Sequence, residues 1–302
     1  MMFRRTWPAV LGMLIAFSAL PAPAEAEQEA APKKTFLWEV KSADNHTLYL
    51  FGAPGMGNGD LYPVSFWAEA AYTRSEVLAL EADLSDSERF QRDAMPMFYG
   101  KDDSLARHID KGLYEEVADY HALQGQAMTE ADHLKPYALA FGLMNKVARS
   151  VGLDPGYDAP FYFTAKAQAD NKPIVEIEGV ARELDVLEAL PMPLQEELLK
   201  ASVEHAAQGN WGEELQTEVA TWKSGDVDYY SELDQRSYQT MPHGAEIRHR
   251  LVESLHPGYA DKLAGYLASG KVHFAVIAAQ HLIGPNNLVE ELVKRGYKVT
   301  RL

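Results

Sequence analysis

Cysteine is absent from all 302 residues, so the chain has no disulfide framework, no thiolate nucleophile and no sulfur ligand for a metal. Basic charge is scarce as well: 28 Lys and Arg stand against 44 Asp and Glu, a net charge of −16. That balance repels phosphate backbones and anionic membrane surfaces, which argues against nucleic acid as a partner. After the first twenty residues no apolar run is long enough to cross a bilayer as a helix. No G-x-S-x-G sequence occurs, so the nucleophile elbow of a Ser-His-Asp hydrolase is missing, and no Walker lysine follows the one glycine-rich loop. Internal repeats and low-complexity tracts are missing too.

What is present begins with an export signal. Arg4 and Arg5 precede an apolar stretch from Pro8 to Leu20, and Ala22-Pro23-Ala24 and Ala24-Glu25-Ala26 follow as A-x-A cleavage sequences. Cleavage near Ala24 or Ala26 is expected, leaving a periplasmic or secreted chain with no transmembrane segment. Loss of Arg4, Arg5 and Glu25 moves the net charge from −16 to −17. Residues 27–34 read as a flexible N-terminus, and residues 35–302 as one domain whose share of apolar residues, 47% over the whole chain, suffices for a core.

Two strand-to-loop junctions organise that domain. Near its end, the apolar run Val272–Ala279 delivers Gln280 and His281 to a turn; Gly284-Pro285-Asn286 then leads into an amphipathic helix over Leu288–Lys294, and KVTRL reads as a last strand. Near its start, Phe36–Val40 and Thr47–Phe51 flank an Asp44-Asn45 turn as a hairpin. The glycine-rich stretch Gly52–Gly59 follows, with Pro63 opening a helix through Tyr72 and a strand at Glu76–Glu81. The two junctions are expected side by side in one sheet. Amphipathic patterns at Leu105–Leu123, Lys135–Ala140, Asp158–Ala169 (capped by Asp158) and residues 181–255 surround a short strand at Pro173–Glu178. The expected fold class is therefore α/β, a small mixed sheet with a large helical insertion.

Three strands end on groups that can bind a metal or move protons: Glu81, Glu178 and His281. Two carboxylates and an imidazole make a usable shell for a divalent ion, and a carboxylate also serves as a general base. Ligands in open α/β sheets sit at such strand ends. Arg236 has the charge to clamp an anion or a strand-end carboxylate. The remaining histidines weighed here read as peripheral: His46, His243, His249 and His256 lie among polar or proline-rich residues, and His273 alternates with apolar residues so as to face solvent. The glycine loop runs G-x-x-G-x-G, not the G-x-G-x-x-G of a dinucleotide site, and Pro63 interrupts the entry into the helix.

Taken in order, FLWEV, TLYLFG, LYP at Leu61–Pro63, LALEADL around Glu81, LKPYALA, GLDPGYD, NKPIVEIEG around Glu178, WKSGD and the closing HLIGPNNLVEELVKRGYKVTRL resemble the TraB/GumN family of bacterial envelope proteins, which includes the animal Tiki proteins. The resemblance runs from about Phe36 to Leu302. It implies an erythromycin-esterase/ChaN-like fold and a divalent-metal site built from two G-x-x-H motifs and the glutamate at Glu81, serving metal-dependent peptidase or hydrolase chemistry. Arg236 matches a family arginine, and Glu178 a family glutamate. The first motif here ends on Gly55 in place of histidine; the second, Ala278-Ala279-Gln280-His281, keeps its histidine but not its glycine. Two expectations follow: a metal-dependent, peptidase-like hydrolase working through Glu81, Glu178, Arg236 and His281, with His281 and Glu81 on the ion; or a catalytically degenerate accessory protein that binds an envelope peptide, protein or polysaccharide.

Overall fold

The computed structural model describes residues 35–302; the signal-peptide and N-terminal-segment readings concern residues outside that range. The chain enters as a hairpin, β1 (Leu37–Lys41) and β2 (Thr47–Ala53), turned at Asn45, whose φ of 62° lies in the left-handed region that asparagine tolerates. Helix α1 (Phe66–Arg74) starts three residues after Pro63, because the Ser65 hydroxyl accepts the Ala68 N–H and sets the cap there. Strand β3 (Val77–Leu80) follows.

The helical insertion comprises α2 (Ser87–Asp93), α3 (Lys111–Leu123), α4 (Pro136–Ser150) and α5 (Ala159–Ala169), and returns to β4 (Ile174–Glu176). The pattern expected as one helix over Leu105–Leu123 is divided: Asp110 caps α3 through the Gly112 and Leu113 N–H groups, leaving Leu105–Arg107 as a separate 3-10 turn. A second run, α6 (Val180–Glu188), α7 (Met192–Gln208), α8 (Trp211–Ser224), α9 (Val227–Gln239), α10 (Gly244–Leu251) and α11 (His256–Ala268), breaks at Pro191, Gly209 and Gly225. Strand β5 (His273–Ala278), α12 (Leu288–Lys294) and β6 (Lys298–Arg301) close the chain.

The six strands form one mixed sheet in the order β4-β3-β5-β2-β1-β6. The two junctions do lie side by side: β2 and β5 run parallel with Gly52 opposite Ile277 and Ala53 opposite Ala278. β5 also separates β2 from β3, so the β2-α1-β3 crossover spans a strand. β3 is buried throughout and β2 and β5 nearly so, as strands covered on both faces must be. Aromatic rings fill one side of this core. Phe163 lies 5.4 Å from Phe51, 5.3 Å from Tyr72 and 4.7 Å from Phe274 between ring centroids. The Trp222 indole donates to the Gly52 carbonyl at 2.7 Å, tying α8 to the end of β2. Gly52 is thus part of the strand, and the loop proper begins at Pro54.

Candidate functional site at the strand ends

The parallel strands β2, β3, β4 and β5 all point their C-terminal ends to one side of the sheet, and the sequence places a functional group just beyond three of them. Glu81 follows β3, Glu178 follows β4, and His281 ends the single 3-10 turn that follows β5. Backbone bonds hold the first two together: the Glu178 and Gly179 N–H groups both donate to the Glu81 carbonyl, at 3.1 and 2.8 Å. Across the gap, His281 Nε2 stands 3.4 Å from Glu81 Oε1, with only 5% and 19% of the two side chains exposed.

The protonation states around this gap follow from the partners. His256, on α11, has Nδ1 2.7 Å from the Asn286 carbonyl, an acceptor only, so Nδ1 carries the hydrogen. Burial holds His256 below its ordinary pKa, so its ring is neutral and Nε2 is bare. That nitrogen lies 3.2 Å from His281 Nδ1, which must therefore be the donor. Burial above all, and then the neighbouring His256 ring and the Arg248 guanidinium, push His281 down to about 3, so it too is neutral, and its Nε2 lone pair is aimed at Glu81. Glu81 Oε1 is buried and receives no hydrogen bond. Burial first, then repulsion from Glu183, raises Glu81 well above the usual carboxylate range, although the Ala278 N–H opposes this. A Glu81 raised this far keeps its proton and can donate it to the His281 Nε2 lone pair; a metal cation would take that proton's place.

Other acidic groups surround the pair. Burial, then Glu178 and Glu176, pushes Glu183 up to about 7. Glu178 is also raised by burial, against the hydrogen bond from the Tyr259 hydroxyl to its Oε2 at 3.2 Å. Tyr259 sits one turn beyond His256 on α11, so one helical face supplies both the histidine behind His281 and the tyrosine holding Glu178. Asp158 caps α5 and also accepts the Gly55 N–H at 3.0 Å; burial raises it to about 6. A carboxylate therefore reaches the loop where the first motif has lost its histidine. The loop is further pinned by the paired backbone bonds of Gly57 and Asp154.

Two readings from sequence need correction, both of histidines, and one site cation sits apart from the buried group. Arg236 lies on the exposed side of α9. It is about 200° round the helix from Asp234, which faces inward. The inward cation is Arg248, 7% exposed, with Nε 3.3 Å from Asp234 and Nη1 2.6 Å from Glu253. His256 is buried at the site, not at the surface. His273 does not face solvent: it is buried, stacked on Tyr266, and its Nδ1 lies 2.9 Å from the Lys271 carbonyl.

The sequence profile of the TraB/PrgY/gumN family matches residues 36–301. The chain belongs to the TraB/PrgY/gumN family. No curated protein and no solved structure matches it. In this TraB/PrgY/gumN chain, a divalent ion of the kind the resemblance implies would find two facing donors. Ligand bonds of about 2.0–2.2 Å at tetrahedral angles set two ligand atoms roughly 3.4 Å apart, which matches the observed Glu81–His281 separation of 3.4 Å. The bond from His281 to His256 is the outer-shell support that a ligating imidazole requires. Among the described residues no three His, Asp or Glu groups converge on one point. Two donors are one fewer than the three protein ligands of a usual catalytic zinc site, so an ion held here would depend on water or substrate for the rest of its shell.

Proposed function

We propose that this TraB/PrgY/gumN member is an exported, metal-assisted hydrolase of the peptidase-like kind, centred on Glu81 and His281. What supports the reading is the buried gap between Glu81 Oε1 and His281 Nε2, 3.4 Å across, in which the neutral imidazole offers a lone pair and that carboxyl oxygen has no other partner, so that a cation can take the place of the proton the raised Glu81 would otherwise hold. Those two side chains would hold the ion, which when bound supplies Lewis-acid polarisation and a water of lowered pKa. His256 fixes the His281 tautomer through the Asn286 carbonyl, so the Nε2 lone pair is always presented. Glu178, raised by burial and anchored by Tyr259, is the nearby carboxylate suited to take a proton from an attacking water.

One observation favours a second reading, the binding of an envelope component without turnover. Gly55 brings no side-chain ligand to the site, and among the described residues no third ligand converges with the pair. The two readings separate in a cleavage screen with a fluorogenic peptide library, run with Mn²⁺, Zn²⁺ or chelator. Metal-dependent turnover lost in both Glu81→Gln and His281→Ala supports the hydrolase. A folded wild type that turns over nothing with any metal overturns it in favour of binding alone.

A further inference from the structure

Of the ten large apolar side chains exposed among the described residues, four belong to two neighbouring helix starts: Phe66 is 75% exposed, Trp67 40%, Tyr157 52% and Phe161 39%, while Phe90, Met95, Phe98, Leu123, Tyr229 and Val293 lie on other segments. All four lie in or just before the first turns of two helices, α1 and α5. These helices are bound side by side: Glu69 of α1 meets Tyr162 and Lys166 of α5, and Tyr72 donates to Asp170 at 3.0 Å. Each helix connects antiparallel to the strands, so both first turns open on the strand-end side, where Gly55, Asp158 and Glu81 lie. The link is direct at Tyr157, whose carbonyl accepts the Tyr62 hydroxyl at 2.7 Å while the next residue, Asp158, holds Gly55. A concentration of aromatic surface beside the strand ends marks a binding surface, because single exposed apolar residues are otherwise scattered.

Charge narrows what such a surface takes. Asp158, Glu178 and Glu183 have no Lys or Arg within ion-pair distance among the described residues, although Asp158 accepts two backbone N–H groups and Arg182 is near enough to favour the charged form of Glu178. The bases closest in sequence to Tyr157 and Phe161 are engaged, Lys166 by Glu69 and Arg149 by Asp154. The chain as a whole carries −16. Polyanions are repelled, and a neutral polymer leaves the carboxyl groups uncompensated; a basic group next to an apolar one satisfies both features.

We propose that Phe66, Trp67, Tyr157 and Phe161 form a docking rim for peptide segments that alternate basic and apolar side chains, the apolar ones on the rim and the basic ones over Asp158, Glu178 and Glu183. This rests on the hydrolase reading for its substrate class, but its test uses binding alone. A fluorescein-labelled heptapeptide of alternating Lys and Phe is titrated by anisotropy into Glu81→Gln protein, which separates binding from turnover. The expected result is saturable binding that weakens at least about tenfold in the Trp67→Ala/Tyr157→Ala double variant, made in the same background, at an unchanged melting temperature. A peptide with Glu in place of Lys, or Ser in place of Phe, should bind at least about tenfold more weakly. Equal binding by the double variant, or by the Glu peptide, overturns the proposal. Displacement of the Lys-Phe peptide by neutral cellohexaose also overturns it and makes the rim a sugar platform. A failed cleavage screen alongside intact rim-dependent binding would remove the hydrolase reading and leave this one standing.

Discussion

Replacing Glu183 with glutamine isolates the acidic crowding that shapes the site. Glu183 moves from an ordinary value of 4.5 to about 7, first through burial and then through Glu178 and Glu176. A carboxyl group whose folded pKa lies above its unfolded one takes up a proton on folding, so its destabilising effect is absent below about 4.5 and complete above about 7. At about 1.4 kcal/mol per pKa unit the ceiling is roughly 3 kcal/mol. Partial exposure and relief shared with Glu178 reduce that to about 1–2 kcal/mol. Glu183→Gln should therefore be more stable than wild type by about 1–2 kcal/mol at pH 8 and indistinguishable from it at pH 4. Urea unfolding at the two pH values reads the difference directly. An equal increment at both, or a loss at pH 8, would show that Glu183 is not held among uncompensated carboxylates.

Three further outcomes follow from the geometry. Arg248→Met leaves Asp234 and Glu253 without their buried cation and should cost about 3–5 kcal/mol in urea unfolding, whereas Arg236→Ala, exposed on α9, should stay within about 0.5 kcal/mol of wild type. Glu81→Gln puts a fixed N–H donor where the raised Glu81 carboxyl holds its proton, so its stability at pH 8 should equal or exceed that of wild type while metal uptake is lost; a large destabilisation would contradict the placement of Glu81 Oε1 against the His281 lone pair. His256→Phe frees the His281 tautomer and should weaken metal binding by roughly 10–100-fold in calorimetry, with the ligands themselves intact.

The sheet and its principal ends were legible because period and punctuation agreed there. Apolar runs at Thr47–Phe51 and Val272–Ala279, each closed by turn residues, gave β2, β5 and their side-by-side pairing; the α12 range, Leu288–Lys294, was read without error between Asn287 and Gly296. Glu81, Glu178 and His281 were found as groups ending strands, and the fold gathers them. His256 was missed because Leu255-His256-Pro257-Gly258 looks like a loop, although Pro257 opens a helix. The available signal was the i, i+3 spacing of His256 and Tyr259 in line with Ala260, Leu263 and Leu267, the buried face of α11. Arg236 and Arg248 could not be ranked from charge alone, since only the packing of α9 against α10 decides which guanidinium turns inward. Asp158 was read as a helix cap and is one; its second bond, to Gly55, joins residues 103 positions apart and leaves no local trace.

The central claim is that the space between Glu81 Oε1 and His281 Nε2 takes a cation. Metal content by mass spectrometry, on mature protein purified without chelators and then dialysed against Mn²⁺ or Zn²⁺, tests it most directly. The account predicts about one ion per chain in the wild type and none in His281→Ala or Glu81→Gln. A wild type that stays empty in both metals, or that keeps its ion in His281→Ala, would contradict it.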